Sequence, residues 1–171
     1  ASWWGLAHRL VVGAEFSRMR TTEMRDGRQT NLNTGEVSNV VGGEAMPTRD
    51  YPVTVTDRFG AFMQDSFEAG DPRLTWIPGV RFDLYRLEPE EDDLFAAANA
   101  GRPVASLSDQ AVSPKLGLLF RQSDALTWTG QFATGYRAPP AADLNIGLTS
   151  LPAGYTVIPN PDLVPERSYG A

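Results

Sequence analysis

The chain offers few groups for bond-making chemistry. It has one histidine, His8, and no cysteine. A Cys-based metal site or thiol nucleophile is therefore excluded, and a site of several His ligands nearly so. A Ser-His-Asp arrangement needs its histidine beside a nucleophile, and no nucleophile-elbow sequence occurs in the chain. No glycine-rich loop precedes a helix as a phosphate cradle would. No two carboxylates are singled out for glycoside hydrolysis. The chain therefore reads as no enzyme, and what remains is binding chemistry. Arg137 carries a fork of donors suited to a ligand carboxylate or to a structural ion pair. The run Glu88, Glu90, Glu91, Asp92 and Asp93 lacks the spacing of a calcium loop and reads as a solvated charged segment. His8 reads as interfacial or structural rather than as a ligand. Pro139 and Pro140 precede one long segment and Pro159, Pro161 and Pro165 close it; each fixes φ, so both ends of that segment are stiff.

The 171 residues suffice for one ordinary domain with a sizeable core. Fifteen Lys and Arg stand against 21 Asp and Glu, a formal charge of -6. Phosphate recognition needs a basic face, so this balance argues against a nucleic-acid partner. Thirteen prolines and 16 glycines indicate a turn-rich chain rather than a helical one. No apolar run reaches the roughly 18 residues of a membrane-spanning helix, but a barrel strand needs only about 9–11 and shows alternation instead. Both ends of the chain read as cuts inside a longer protein.

The elements that must position these residues are strands. Five segments alternate with period two. Leu6, His8, Leu10, Val12, Ala14 and Phe16 share one face of the first, with Arg9, Gly13, Glu15 and Ser17 opposite. The second sets Phe59, Ala61, Met63 and Phe67 against Arg58, Gln64, Ser66 and Glu68, with Phe62 and Asp65 breaking the rule. In the third, Leu74, Trp76, Pro78, Val80, Phe82 and Leu84 alternate with Arg73, Thr75, Gly79, Arg81 and Asp83. The fourth sets Leu116, Leu118 and Phe120 against Lys115, Gly117 and Arg121. The fifth sets Leu126, Trp128, Phe132 and Tyr136 against Thr127, Thr129, Gln131 and Arg137. A sixth begins near Glu166. Tight turns at 69–72 and 122–125 alternate strictly with long links over 20–56, 87–112 and 138–165. An up-and-down meander with every long link on one side produces that order, as in bacterial membrane barrels. Trp76 and Trp128, each just beyond a tight turn, would form an interfacial girdle. The expected fold class is all-β: an antiparallel up-and-down transmembrane β-barrel, of which this chain supplies five to six strands. A soluble secreted β-sandwich that binds carbohydrate is the alternative from pattern alone.

Thr134-Gly135-Tyr136-Arg137-Ala138-Pro139 resembles the Phe-Arg-Ala-Pro box of TonB-dependent receptors, with Tyr136 in the aromatic place. Asn160-Pro161-Asp162-Leu163-Val164-Pro165-Glu166 resembles the partner Asn-Pro-Asp-Leu box. Their spacing is similar to that of haem and haemoglobin receptors, as are the stretches 59–65, 77–83, 113–117, 143–147 and 154–159. The resemblance runs over nearly the whole chain and is more specific for the superfamily than for the ligand. It implies residues 1–171 as a fragment of a C-terminal barrel domain of about 22 strands, in the bacterial outer membrane. The plug domain and its contact with TonB would lie elsewhere. It implies haem as the transported ligand, taken from a haemoprotein, with an iron–siderophore complex as the alternative. Candidate ligand-loop residues are Arg137, Pro139, Asp143, Asn145, Tyr155, Asn160 and Pro161. Some haem receptors place an iron-binding His between the boxes, but residues 140–159 contain none. Iron ligation from this segment would fall to Tyr155, which otherwise makes packing or polar contacts.

Overall fold

The computed structural model describes residues 2–3, 6–150 and 153–171. Six strands carry the fold: β1 (Val11–Thr21), β2 (Val53–Gln64), β3 (Leu74–Glu90), β4 (Leu107–Ser123), β5 (Leu126–Arg137) and β6 (Glu166–Gly170). Each pairs antiparallel with the next, so sequence order and spatial order coincide. Phe67–Glu68 extends the pairing of β3 below β2. The tight turns join β2 to β3 and β4 to β5 at one end. The long connections 22–52, 91–106 and 138–165 all leave from the other. Among the described residues, no helix is long and apolar enough to cross a membrane; in a barrel the crossing is made by strands.

Strand register explains why the alternation matters. Phe16, Phe59 and Leu84 stand in one row across β1, β2 and β3. Trp76 pairs with Leu118, Pro78 with Leu116 and Leu116 with Phe132, extending the same apolar face over β4 and β5. This face is open: Phe16 is 67 % exposed and Trp128 59 % exposed. Apolar side chains left uncovered over a whole sheet face mark contact with something apolar, and a barrel presents that face to lipid. The opposite face carries Glu15, Arg58, Arg81, Asp83 and Lys115 by the same register.

β3 and β4 run further than the alternation suggests, to Glu90 and from Leu107 rather than ending near 86 and starting near 113. The reason is a reversal of polarity. One row beyond Phe16, Phe59 and Leu84 on the outward face come Arg18, Asp57 and Arg86, and Arg20 and Glu88 lie in the next. On the inward face the same strands turn apolar, and Tyr85 and Leu87 are buried, Leu87 completely. At about 3.3 Å per residue, Trp76 to Leu84 spans roughly 27 Å of strand, near 20 Å of height at a tilt of about 40°. The apolar belt ends there, and above it the sheet is organised like a water-soluble one. Its core is built by the long connections: Phe95 from helix α1 (Asp93–Ala98) and Leu144 from helix α2 (Ala141–Asn145) are both buried.

The acidic run is structural in this setting. Asp92 caps α1 by accepting from the Phe95 N–H and pairs with Arg49 at 3.1 Å. Glu88 pairs with Arg86 and Glu90 with Arg20. Among the described residues, no group of three or more His, Asp or Glu side chains could hold a metal ion.

Candidate functional site

The inward wall carries a charge ladder running across three strands. Arg81 Nε donates to Asp83 Oδ1 at 2.9 Å, and its Nη2 reaches Glu15 at 2.5 Å. To do so the guanidinium crosses Gly60 on β2, where a Cβ would run into Nη2. Lys115 lies across Gly79 in the same way. One row higher, Arg58 stacks over the Tyr85 ring at 5.5 Å, a cation–π contact. A hollow of about 540 Å³ opens between this wall and the entry to the third long connection; Arg58, Asp83, Tyr85, Tyr136 and Arg137 line it.

The first box bends into this space. Alternation puts Tyr136 on the lipid face, but its hydroxyl is buried and Arg167 stacks over its ring at 5.8 Å. The cause lies on β4. The ladder between β4 and β5 stops at Lys115 and Ala133. The next residue on β4, Pro114, has no N–H to give; its carbonyl accepts from Thr134 Oγ1 instead, at 3.2 Å. Released from the ladder, β5 turns over the inward wall, and Tyr85 donates its hydroxyl to the Pro139 carbonyl at 3.0 Å. Arg137 is 72 % exposed and stands 3.6 Å from Glu166, its register partner.

The two boxes meet. Arg137, Pro139 and Asp143 from the first side line a hollow of about 130 Å³ with Leu163, Val164 and Glu166 from the second. Asn145 lies outside this hollow and is 1 % exposed. Tyr155 is exposed on a hairpin pairing Leu148–Ser150 with Tyr155–Val157. Asn160 is exposed and closes an Asx turn onto the Asp162 N–H at 3.3 Å, with exposed Pro161 inside it. The candidate residues therefore divide: three line the junction of the boxes, one is internal, and three lie along the exposed return of the loop.

At the opposite end the tight turn is locked by charge. Arg73 donates from Nε and Nη2 to Asp71 at 3.1 and 2.7 Å, and its backbone N–H adds a third bond at 2.8 Å. The Arg73 side chain, then its N–H, holds the Asp71 carboxyl at about 2, below its ordinary 3.8. A depressed carboxylate stabilises the folded turn above its ordinary value, and that contribution disappears as pH falls through about 2. The expected result is a carboxyl-carbon NMR titration of Asp71 with its midpoint near 2, moving toward 3.8 in Arg73→Gln. Nearby, His8 Nδ1 lies 2.5 Å from Asp65 Oδ2. The pairing places the acid that broke the alternation beside the only histidine, on the same face.

A meander with a lipid-facing apolar belt, a polar inner wall and all long connections at one end defines a bacterial outer-membrane barrel wall. The chain belongs to the TonB dependent receptor-like β-barrel family, whose model matches residues 1–171. No curated protein matches it. The family consists of receptors and transporters of the bacterial outer membrane that work with TonB and a ligand.

Proposed function

We propose that the receptor of which this chain is a part captures haem, taken from a haemoprotein, and imports it into the periplasm with work supplied through TonB. The plug and the segment that contacts TonB lie beyond these residues on this reading. The observation that carries it is the pair of boxes. Their sequence and spacing are similar to those of haem receptors, and their ends converge on one small hollow around Arg137, Pro139 and Asp143. The hollow lies at the long-connection end, where a ligand arrives from outside. Arg137 is the group there that suits a propionate carboxylate, which would take the place of Glu166 as its partner. Tyr155, on the exposed hairpin of the same loop, is the iron ligand the loop can offer. Capture of the intact haemoprotein needs no iron ligand there. Binding, not bond chemistry, is the mechanism.

Titration of the full receptor with haem, followed in the Soret band, tests the proposal. Saturable binding with a shifted Soret maximum is expected, and the shift changes in Tyr155→Phe if this hydroxyl reaches the iron. An unchanged Soret band together with tight binding of an iron–siderophore complex would replace haem with that ligand.

A further inference from the structure

We infer that Asn145 and Asn99 are positioning residues that clamp the three long connections into one rigid cap, so that residues 141–149 of the loop between the boxes are held in place before any ligand arrives. Asn145 is 1 % exposed and Asn99 4 % exposed. A buried amide must find partners for its donors and acceptor, and each of the two reaches a partner on another connection. The Asn145 side chain accepts from the Ala105 N–H at 2.7 Å and donates to the Ala105 carbonyl at 2.9 Å. It thus pairs with one residue of the second connection much as a strand would. Asn99 donates to the Arg49 carbonyl of the first connection at 2.8 Å, and its Oδ1 accepts from Arg102 Nη1 at 2.9 Å. Arg102 Nη2 then reaches Thr149 Oγ1, beyond the first box, at 3.0 Å.

The three connections meet at Gly147. Its N–H donates to the Asp50 carbonyl at 2.7 Å, and a Cβ there would strike both Arg102 and the Asn99 amide oxygen. The buried Asn99 side chain therefore ties first to second connection and the buried Asn145 side chain second to third, while the Gly147 backbone bond ties first to third. Phe95 and Leu144, both nearly inaccessible, fill the space beneath. Elements linked in this way open as a unit, because opening any one leaves buried polar groups of the others unpaired. A segment already held in place needs no ordering when ligand binds, which raises the fraction of receptor competent to bind. The clamp stands on geometry alone; only its benefit to capture rests on the function proposed above.

Hydrogen exchange by mass spectrometry on the full receptor tests the clamp. Without mutation, segments 49–52, 93–106 and 141–149 should share one opening equilibrium across low denaturant concentrations, and three separate equilibria would overturn the inference. In Asn145→Ala all three segments should exchange on the order of tenfold faster together, with β3 unchanged. Asn145→Asp keeps an acceptor for the Ala105 N–H but sets a buried carboxylate against the Ala105 carbonyl, so it should accelerate exchange in the three segments at least as much as Asn145→Ala. Acceleration confined to 141–149 would also overturn the clamp. In haem titrations, Asn145→Ala should bind more weakly with a more negative heat-capacity change, the mark of ordering coupled to binding. A receptor that binds no haem leaves the exchange result standing and removes only the ligand.

Discussion

Phe132→Arg is expected to destabilise the barrel by about 2–4 kcal/mol, the cost of a cation at mid-bilayer on a lipid-facing strand position. Phe132 pairs with Leu116 and is 45 % exposed on the outward face. It lies four residues above Trp128, roughly 13 Å along the strand and near the middle of a belt about 20 Å high. Its neighbour Gln131 pairs with Gly117 on the inward face, where water and polar groups solvate a guanidinium. Gln131→Arg should therefore lie within about 0.5 kcal/mol of the unmodified protein. Reversible urea unfolding of the full receptor in lipid vesicles gives both values. Equal costs for the two substitutions would mean that the face assignment is wrong.

Leu87→Ala should cost about 2–5 kcal/mol by deleting a buried side chain and leaving a cavity. Leu87 has no exposed surface although one side of the sheet is open; its inward position in the row with Thr56 and Leu107 puts it under the cap. Leu84, three residues earlier and 41 % exposed on the outward face, provides the contrast. Leu84→Ala removes a lipid contact and leaves no enclosed void, so a cost below about 1.5 kcal/mol is expected. Thermal unfolding in the same vesicles separates them. A Leu84→Ala loss that exceeds that of Leu87→Ala would show that the cap does not cover the sheet.

The belt was legible in sequence because lipid and lumen impose opposite requirements on neighbouring residues. That contrast also made the order of tight turns and long links readable. It failed above the belt, where Arg86 and Glu88 face outward while Tyr85 and Leu87 are buried inward. There the pattern inverts without a break in the strand, so a search for continued alternation stops too early. Tyr136 leaves the parity of Trp128 and Phe132 because Pro114, more than twenty residues away in sequence, ends the ladder that would have held it. Asn145 has no local signature of its role, since its partner Ala105 lies forty residues away. The His8–Asp65 pair does leave a trace in the sequence. Each is a polar residue on an otherwise apolar parity, and two such exceptions near one end of adjacent strands suggest a pair.

The inversion between Leu84 and Arg86 acts as a depth gauge. Sinking the barrel by one residue pair would draw the row Arg18, Asp57 and Arg86 into hydrocarbon. Raising it would expose Phe16, Phe59 and Leu84 to water. Both displacements are opposed, so this wall carries a preferred depth of immersion in its own chemistry. A host bilayer thicker than the belt would have to thin locally around these strands, and reconstitution in lipids of graded chain length would trace that preference directly.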